Sequence, residues 1–98
     1  MERSQLSQIT HDAYVAAVRE TGAAPPSVVD ESTPLVGPDS VLDSMALVSI
    51  VLDVEQRIEE AGGPSVTLMS EDALSRRHSP FRTVGSLADY AAEAVAGA

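Results

Sequence analysis

Apolar residues recur at three- and four-residue spacing along most of this chain, and that spacing predicts helices. Over residues 4–21, Leu6, Ile9, Ala13, Ala16 and Ala17 share one face, with Tyr14 and Val18 widening the stripe. Ser4 is placed to cap the start, and Gly22 supplies a stop signal. Over residues 44–61, Met45, Leu47, Val48, Ile50, Val51, Leu52, Val54 and Ile58 are too many for a narrow stripe. Such a helix is expected to sit centrally, with contacts on more than one side. Its β-branched residues would also suit a strand. Its length, and Asp53, Glu55, Glu59 and Glu60 towards its end, favour a helix. Asp43 or Ser44 is placed to cap it, and Gly62-Gly63-Pro64 ends it. A last helix is expected over 84–96, capped by Thr83 and closed by Gly97. Val84, Leu87, Tyr90, Ala91, Ala94 and Val95 share its apolar face.

The periodicity fails between these segments. Pro25, Pro26, Pro34 and Pro38 forbid a continuous helix in the connection over 22–43. That connection is long, yet Val28, Val29, Leu35, Val36, Val41 and Leu42 are apolar, so it should drape over the core. Ser65 to Met69 reads as an extended link. Ser70, followed by Glu71 and Asp72 and then Arg76 and Arg77, suits a short helix over 71–77, and Pro80 breaks the chain after it. The expected fold is all-α: a single domain over 1–98, a small bundle of three main helices plus one short helix, with a long first loop.

Composition narrows the chemistry. The chain has 98 residues, no Cys and only two His, so a disulfide framework, a thiolate nucleophile and a zinc–thiolate site are excluded. His11 and His78 are far apart, which argues against a histidine metal cluster. With one Phe, two Tyr and no Trp, the core must be mainly aliphatic. The formal charge of −9 argues against nucleic acid, whose phosphates need clustered bases. From Glu20 to Asp72 there are eleven acids and one base, Arg57. That bias suits either a solvated surface or a basic partner. No apolar run approaches a membrane span, and Met1-Glu2-Arg3-Ser4-Gln5 lacks a basic region followed by a hydrophobic stretch. The chain reads as soluble, cytoplasmic and monomeric.

The sharpest local feature is Leu42-Asp43-Ser44-Met45, at the mouth of the most apolar helix. A phosphate ester on Ser44 would meet free backbone N–H groups and the positive end of the helix dipole. An Asp-Ser pair there is also an ordinary N-cap, and the spacing alone leaves both readings open. Other constellations are weak. Glu59 and Glu60 are adjacent on a helix and diverge in direction. His11 lies beside Asp12 with no Ser or Cys partner in view, so no catalytic triad is indicated.

Residues 35–95 resemble the acyl carrier proteins, the family that includes peptidyl carrier proteins. That family has an Asp-Ser-Leu motif opening its second helix, matched here by Asp43-Ser44-Met45. The run from Ala46 to Glu55 matches the family's apolar helix leading to a Glu. Phe81-Arg82-Thr83-Val84-Gly85-Ser86-Leu87 resembles the Phe-x-Thr-Val-x-x-Leu stretch opening its last helix. The resemblance covers about two-thirds of the chain well, and the first helix only in type. Two departures stand out. The family usually has Gly three residues before the modified Ser, where this chain has Val41. Gly37-Pro38-Asp39-Ser40-Val41 also resembles the motif, which makes Ser40 a competitor. From Ser44 the helix and Glu55 fall in register; from Ser40 everything is four residues late.

The resemblance implies a four-helix bundle and a non-catalytic function. Ser44 would carry 4′-phosphopantetheine, transferred covalently from coenzyme A by a phosphopantetheinyl transferase. The arm would hold an acyl or aminoacyl group as a thioester. Further partners would be an acyl- or aminoacyl-loading ligase and a downstream synthase or transferase, with no metal and no membrane. Asp39, Asp43, Met45, Val48, Ser49 and Asp53 are the expected partner contacts. Ala46 and Ser49 are expected to be exposed and Met45 partly exposed. Val48 and Leu52 are expected to lie mainly in the core. A second reading, prompted by Val41 and the altered charges of the helix, is a helical interaction module without the arm.

Overall fold

A computed structural model describes residues 1–22, 24, 27–35, 44–70 and 80–97. Among the described residues three helices form: α1 (Arg3–Glu20), α2 (Ser44–Glu60) and α3 (Val84–Ala96). Among the described residues there is no strand, only an isolated antiparallel bridge between Pro34 and Thr83. The short helix expected over 71–77 lies outside the described residues.

α1 buries Leu6, Thr10, Ala13, Tyr14, Ala17 and Val18. Thr10 is polar yet fully buried, because its hydroxyl donates to the Leu6 carbonyl at 2.9 Å one turn back. The helix begins at Arg3, which places Ser4 inside it. The flanking residue, Glu2, makes no side-chain cap bond, so Ser4 is not the cap its position suggested. Burial holds the Tyr14 hydroxyl above its ordinary pKa.

α1, rather than α2, is the helix shared by the other two. It packs against both α2 and α3, whose backbones do not approach each other closely. Ala13 and Ala17 are fully or almost fully buried and small, which lets neighbouring helices come near. The start of α1 lies at the end of α2, where the Met1 sulfur sits beside Gly63, so α2 runs antiparallel to α1. α2 ends in a Schellman turn. Gly62 takes φ +90°, the Gly62 N–H donates to Glu59 and the Gly63 N–H donates to Ile58, at 3.0 and 2.9 Å. A left-handed residue at that place favours glycine.

The segment 30–35 forms a strap across the start of α3. The Thr33 carbonyl accepts from the Val84 N–H at 3.0 Å, and the Glu31 carbonyl accepts from the Gly85 N–H at 2.8 Å. The Leu35 N–H donates back to the Arg82 carbonyl at 2.8 Å. Thr83 caps α3 in a reciprocal box with Ser86. The first N–H groups of α3, which have no partner within the helix, are thereby taken up by the strap and the cap. Leu35 delivers a fully buried side chain to the core beside Phe81, whose ring meets Tyr90 edge-on at 6.0 Å between centroids.

Arg3 fastens the strap from outside. Its guanidinium bonds Glu31 at 2.7 Å and Asp89 at 2.8 Å, joining α1, the strap and α3. Burial opposes its charge, but the hydrogen bonds to Asp89 and Glu31 outweigh that and raise its pKa. Both acids are well exposed, so these pairs position the strap more than they stabilise it. Within the strap, hydrogen bonds from the Ser32 hydroxyl and N–H hold the Asp30 carboxyl below its ordinary pKa. That contribution is present above the usual carboxylate range and is lost as pH falls through the lowered value.

Gly85 is the closest approach of strap and helix. A Cβ there would lie 2.8 Å from both the Cβ and the carbonyl oxygen of Glu31. Ala has the higher helix propensity, yet Gly85→Ala is expected to destabilise the fold by about 1–3 kcal/mol through overpacking. Urea denaturation measures this, and an unchanged or raised midpoint would show that the strap does not seat against α3.

Candidate functional site

α2 opens at Ser44, so the Ser of the Asp-Ser-Met triplet is the helix's first residue. Asp39, Ser40 and Asp43 lie outside the described residues, as does the Ser44 side chain. The geometry that can be built therefore concerns the helix that Ser44 begins.

Only one side of α2 is buried. Ile50, Val51, Val54 and Ile58 are each 0% exposed, and Leu47 packs against them. At 3.6 residues per turn these five positions span an arc of about 100°. Met45, Val48 and Leu52 fall outside it and are 80%, 42% and 52% exposed. The expectation that Val48 and Leu52 belong mainly to the core is thus corrected. Because α2 packs on α1 and not closely on α3, its second apolar flank has no helix to bury it among the described residues. Ala46, expected to be exposed, is half-buried, while Ser49 is exposed as expected. Met45, Val48, Ser49 and Leu52 share the open side of α2, and three of the four are large and apolar.

The charges nearby are partly satisfied within the chain. Asp53 accepts from Arg57 one turn on, at 2.9 Å, so this acid is already paired. Its pairing was readable from the four-residue spacing. Glu59 and Glu60 are exposed at the far end of the helix, and Gln56 donates to Glu60 at 3.1 Å. Between α1 and α2 lies an open cleft of about 440 Å³, lined by Ala13, Ala16 and Ala17 on one side and by Leu52 and the Asp53–Arg57 pair on the other.

Glu55 acts on the other flank. One of its carboxylate oxygens accepts from the Leu68 N–H at 2.8 Å and from the Met69 N–H at 3.3 Å. It thereby ties the segment 65–70 to α2 and seats the fully buried Leu68. Sequence comparison with the carrier pattern marked this Glu by register, but its structural task became visible only in the fold. His11 lies 3.0 Å from Asp12, whose carboxylate also accepts from Gln8 at 2.8 Å. Among the described residues no three His, Asp or Glu side chains gather to hold a metal, and no helix is long and apolar enough to cross a membrane.

Comparison with family models, with curated proteins and with solved structures finds no match to this chain. The reading of the site therefore rests on its residues and geometry.

Two predictions separate the faces of α2. Leu52→Ala is expected to change stability by no more than about 0.5–1 kcal/mol, whereas Ile50→Ala should cost about 2–5 kcal/mol. Chemical denaturation of the two variants checks the contrast, and equal losses would contradict a one-sided burial of α2. Glu55→Ala leaves two backbone N–H groups without their acceptor and should cost about 1–3 kcal/mol. Faster amide hydrogen exchange at Leu68 and Met69 is the local readout.

Proposed function

We propose that this protein is a freestanding acyl carrier protein, with Ser44 as the attachment point of 4′-phosphopantetheine. The carrier-type bundle, including the short helix over 71–77, belongs to this proposal. The observation that carries it is the position of Ser44 as the first residue of α2, followed by the exposed apolar residues Met45, Val48 and Leu52.

The residues present fit the group. A helix start offers backbone N–H groups and a positive dipole end to a phosphodiester anion. When attached, the arm supplies a terminal thiol that holds an acyl or aminoacyl cargo as a thioester. The chain, which has no Cys, contributes no thiol of its own to compete with it. The protein's part is that of a platform. It holds Ser44 at the start of α2 and raises the effective concentration of a tethered cargo at each partner's active site.

The open side of α2 gives partners a surface to read. Met45, Val48 and Leu52 supply apolar contact, and Ser49 lies among them. The chain's charge of −9 steers basic partners towards it. Those partners are a phosphopantetheinyl transferase, a ligase that loads the cargo and a synthase or transferase that receives it. Asp39 and Asp43 remain proposed contacts beside the attachment point. Asp53 is a weaker one, because Arg57 already neutralises it. The protein itself catalyses nothing and acts in the cytoplasm as a monomer.

Incubation with coenzyme A and a phosphopantetheinyl transferase, followed by intact mass measurement, tests the assignment. One phosphopantetheine adduct is expected on wild type and on Ser40→Ala, and none on Ser44→Ala. An unmodified wild type would overturn the carrier reading and favour an interaction module without the arm. An undiminished adduct on Ser44→Ala would move the attachment point elsewhere.

A further inference from the structure

We propose that Met45 is a modification site: its thioether is oxidised to the sulfoxide by peroxide ahead of the other sulfurs of this chain, and the change slows use of Ser44. The second clause rests on the carrier reading, whereas the first does not.

The sulfur inventory is short. The chain has no Cys and three Met, so in the unmodified protein no thiol intercepts an oxidant before the thioethers do. The three Met differ in environment. Met69 is half-buried and packs against the core. Met1 is 41% exposed, and its sulfur lies against the Gly63 turn. Met45 is 80% exposed, the most open of the large apolar side chains among the described residues. Access to the sulfur governs oxygen transfer, so Met45 reacts first.

The step balances without any further reagent. The thioether sulfur attacks one peroxide oxygen, the O–O bond breaks and an S–O bond forms. The other oxygen leaves as water after taking up the transferred proton. Sulfur loses two electrons and the peroxide gains them.

The location gives the reaction a consequence. Met45 directly follows Ser44 and begins the apolar strip that continues through Val48 and Leu52. A sulfoxide turns a flexible apolar side chain into a polar one. A partner that buries Met45 while reaching Ser44 then meets a polar group where it binds an apolar one. The fold does not depend on that side chain, because most of Met45 is already in water. Oxidation should therefore alter partner recognition and leave stability unchanged, and methionine sulfoxide reductase should reverse it.

The experiment treats the unmodified protein with limiting hydrogen peroxide, maps sulfoxide by peptide mass and measures transferase loading from coenzyme A. Met45 is expected to oxidise first, kcat/KM for loading to fall about tenfold, the melting temperature to hold and reductase to restore the rate. Met45→Leu, whatever its own starting rate, should show no fall in loading on peroxide treatment when compared with the same variant untreated. Earlier oxidation of Met1 or Met69 overturns the site. Oxidation of Met45 with an unchanged loading rate overturns the consequence. A wild type that never loads overturns the carrier reading and the consequence together, while the order of oxidation is still read from the peptide map.

Discussion

The described fold depends on the packing of two helices against α1. α2 and α3 meet the first helix and do not closely meet each other, so α1 must present apolar surface in two directions. Its buried set meets that demand by mixing sizes. Leu6 and Tyr14 fill volume, while Ala13 and Ala17 let neighbouring backbones approach. Thr10 completes the surface by satisfying its hydroxyl within the helix. The same helix begins with Arg3, which reaches the strap and α3. The strap in turn satisfies the first N–H groups of α3. Close approach at Gly85 and the cap at Thr83 are parts of that one junction.

The character of α2 follows from this arrangement. A helix with eight large apolar residues would be expected to be covered on more than one side. With α1 as its helix partner, it buries the arc of Ile50, Val51, Val54 and Ile58 and leaves Met45, Val48 and Leu52 in water. An exposed apolar strip beside a candidate attachment residue is a surface whose use lies outside the chain. The proposed carrier function and the proposed sensitivity of Met45 both draw on it. The fold does not need this strip for its own stability, which leaves it available to partners and to chemical change.

Much of the helical framework was legible in the residues. The apolar repeat located the three described helices, and Thr83 and the Gly62-Gly63 pair marked real ends. Periodicity failed where it had to choose between faces. Val48 and Leu52 are as apolar as Ile50 and Val54, and nothing local says which flank a neighbour will cover. Ser4 looked like a cap because its residue type suits one, yet the helix starts one residue earlier. Arg3 was an ordinary charge in the sequence, and Glu55 was marked only by its register in the carrier pattern, with no structural task attached. Their tasks depend on Glu31, Asp89 and the Leu68 N–H, which lie far along the chain and close in space.

By itself, then, the sequence determined the helical class, the breaks between helices, the aliphatic core, the acidic middle and the candidate Ser44. The first four are set by local spacing, by residue chemistry or by a simple sum of charges, and Ser44 stands out by its resemblance to the carrier motif. Tertiary structure alone decided that α1 is the shared helix, that a strap closes on Gly85 and that one apolar flank of α2 stays open. These depend on which surfaces meet, and burial is a property of the pair of surfaces, never of one helix alone.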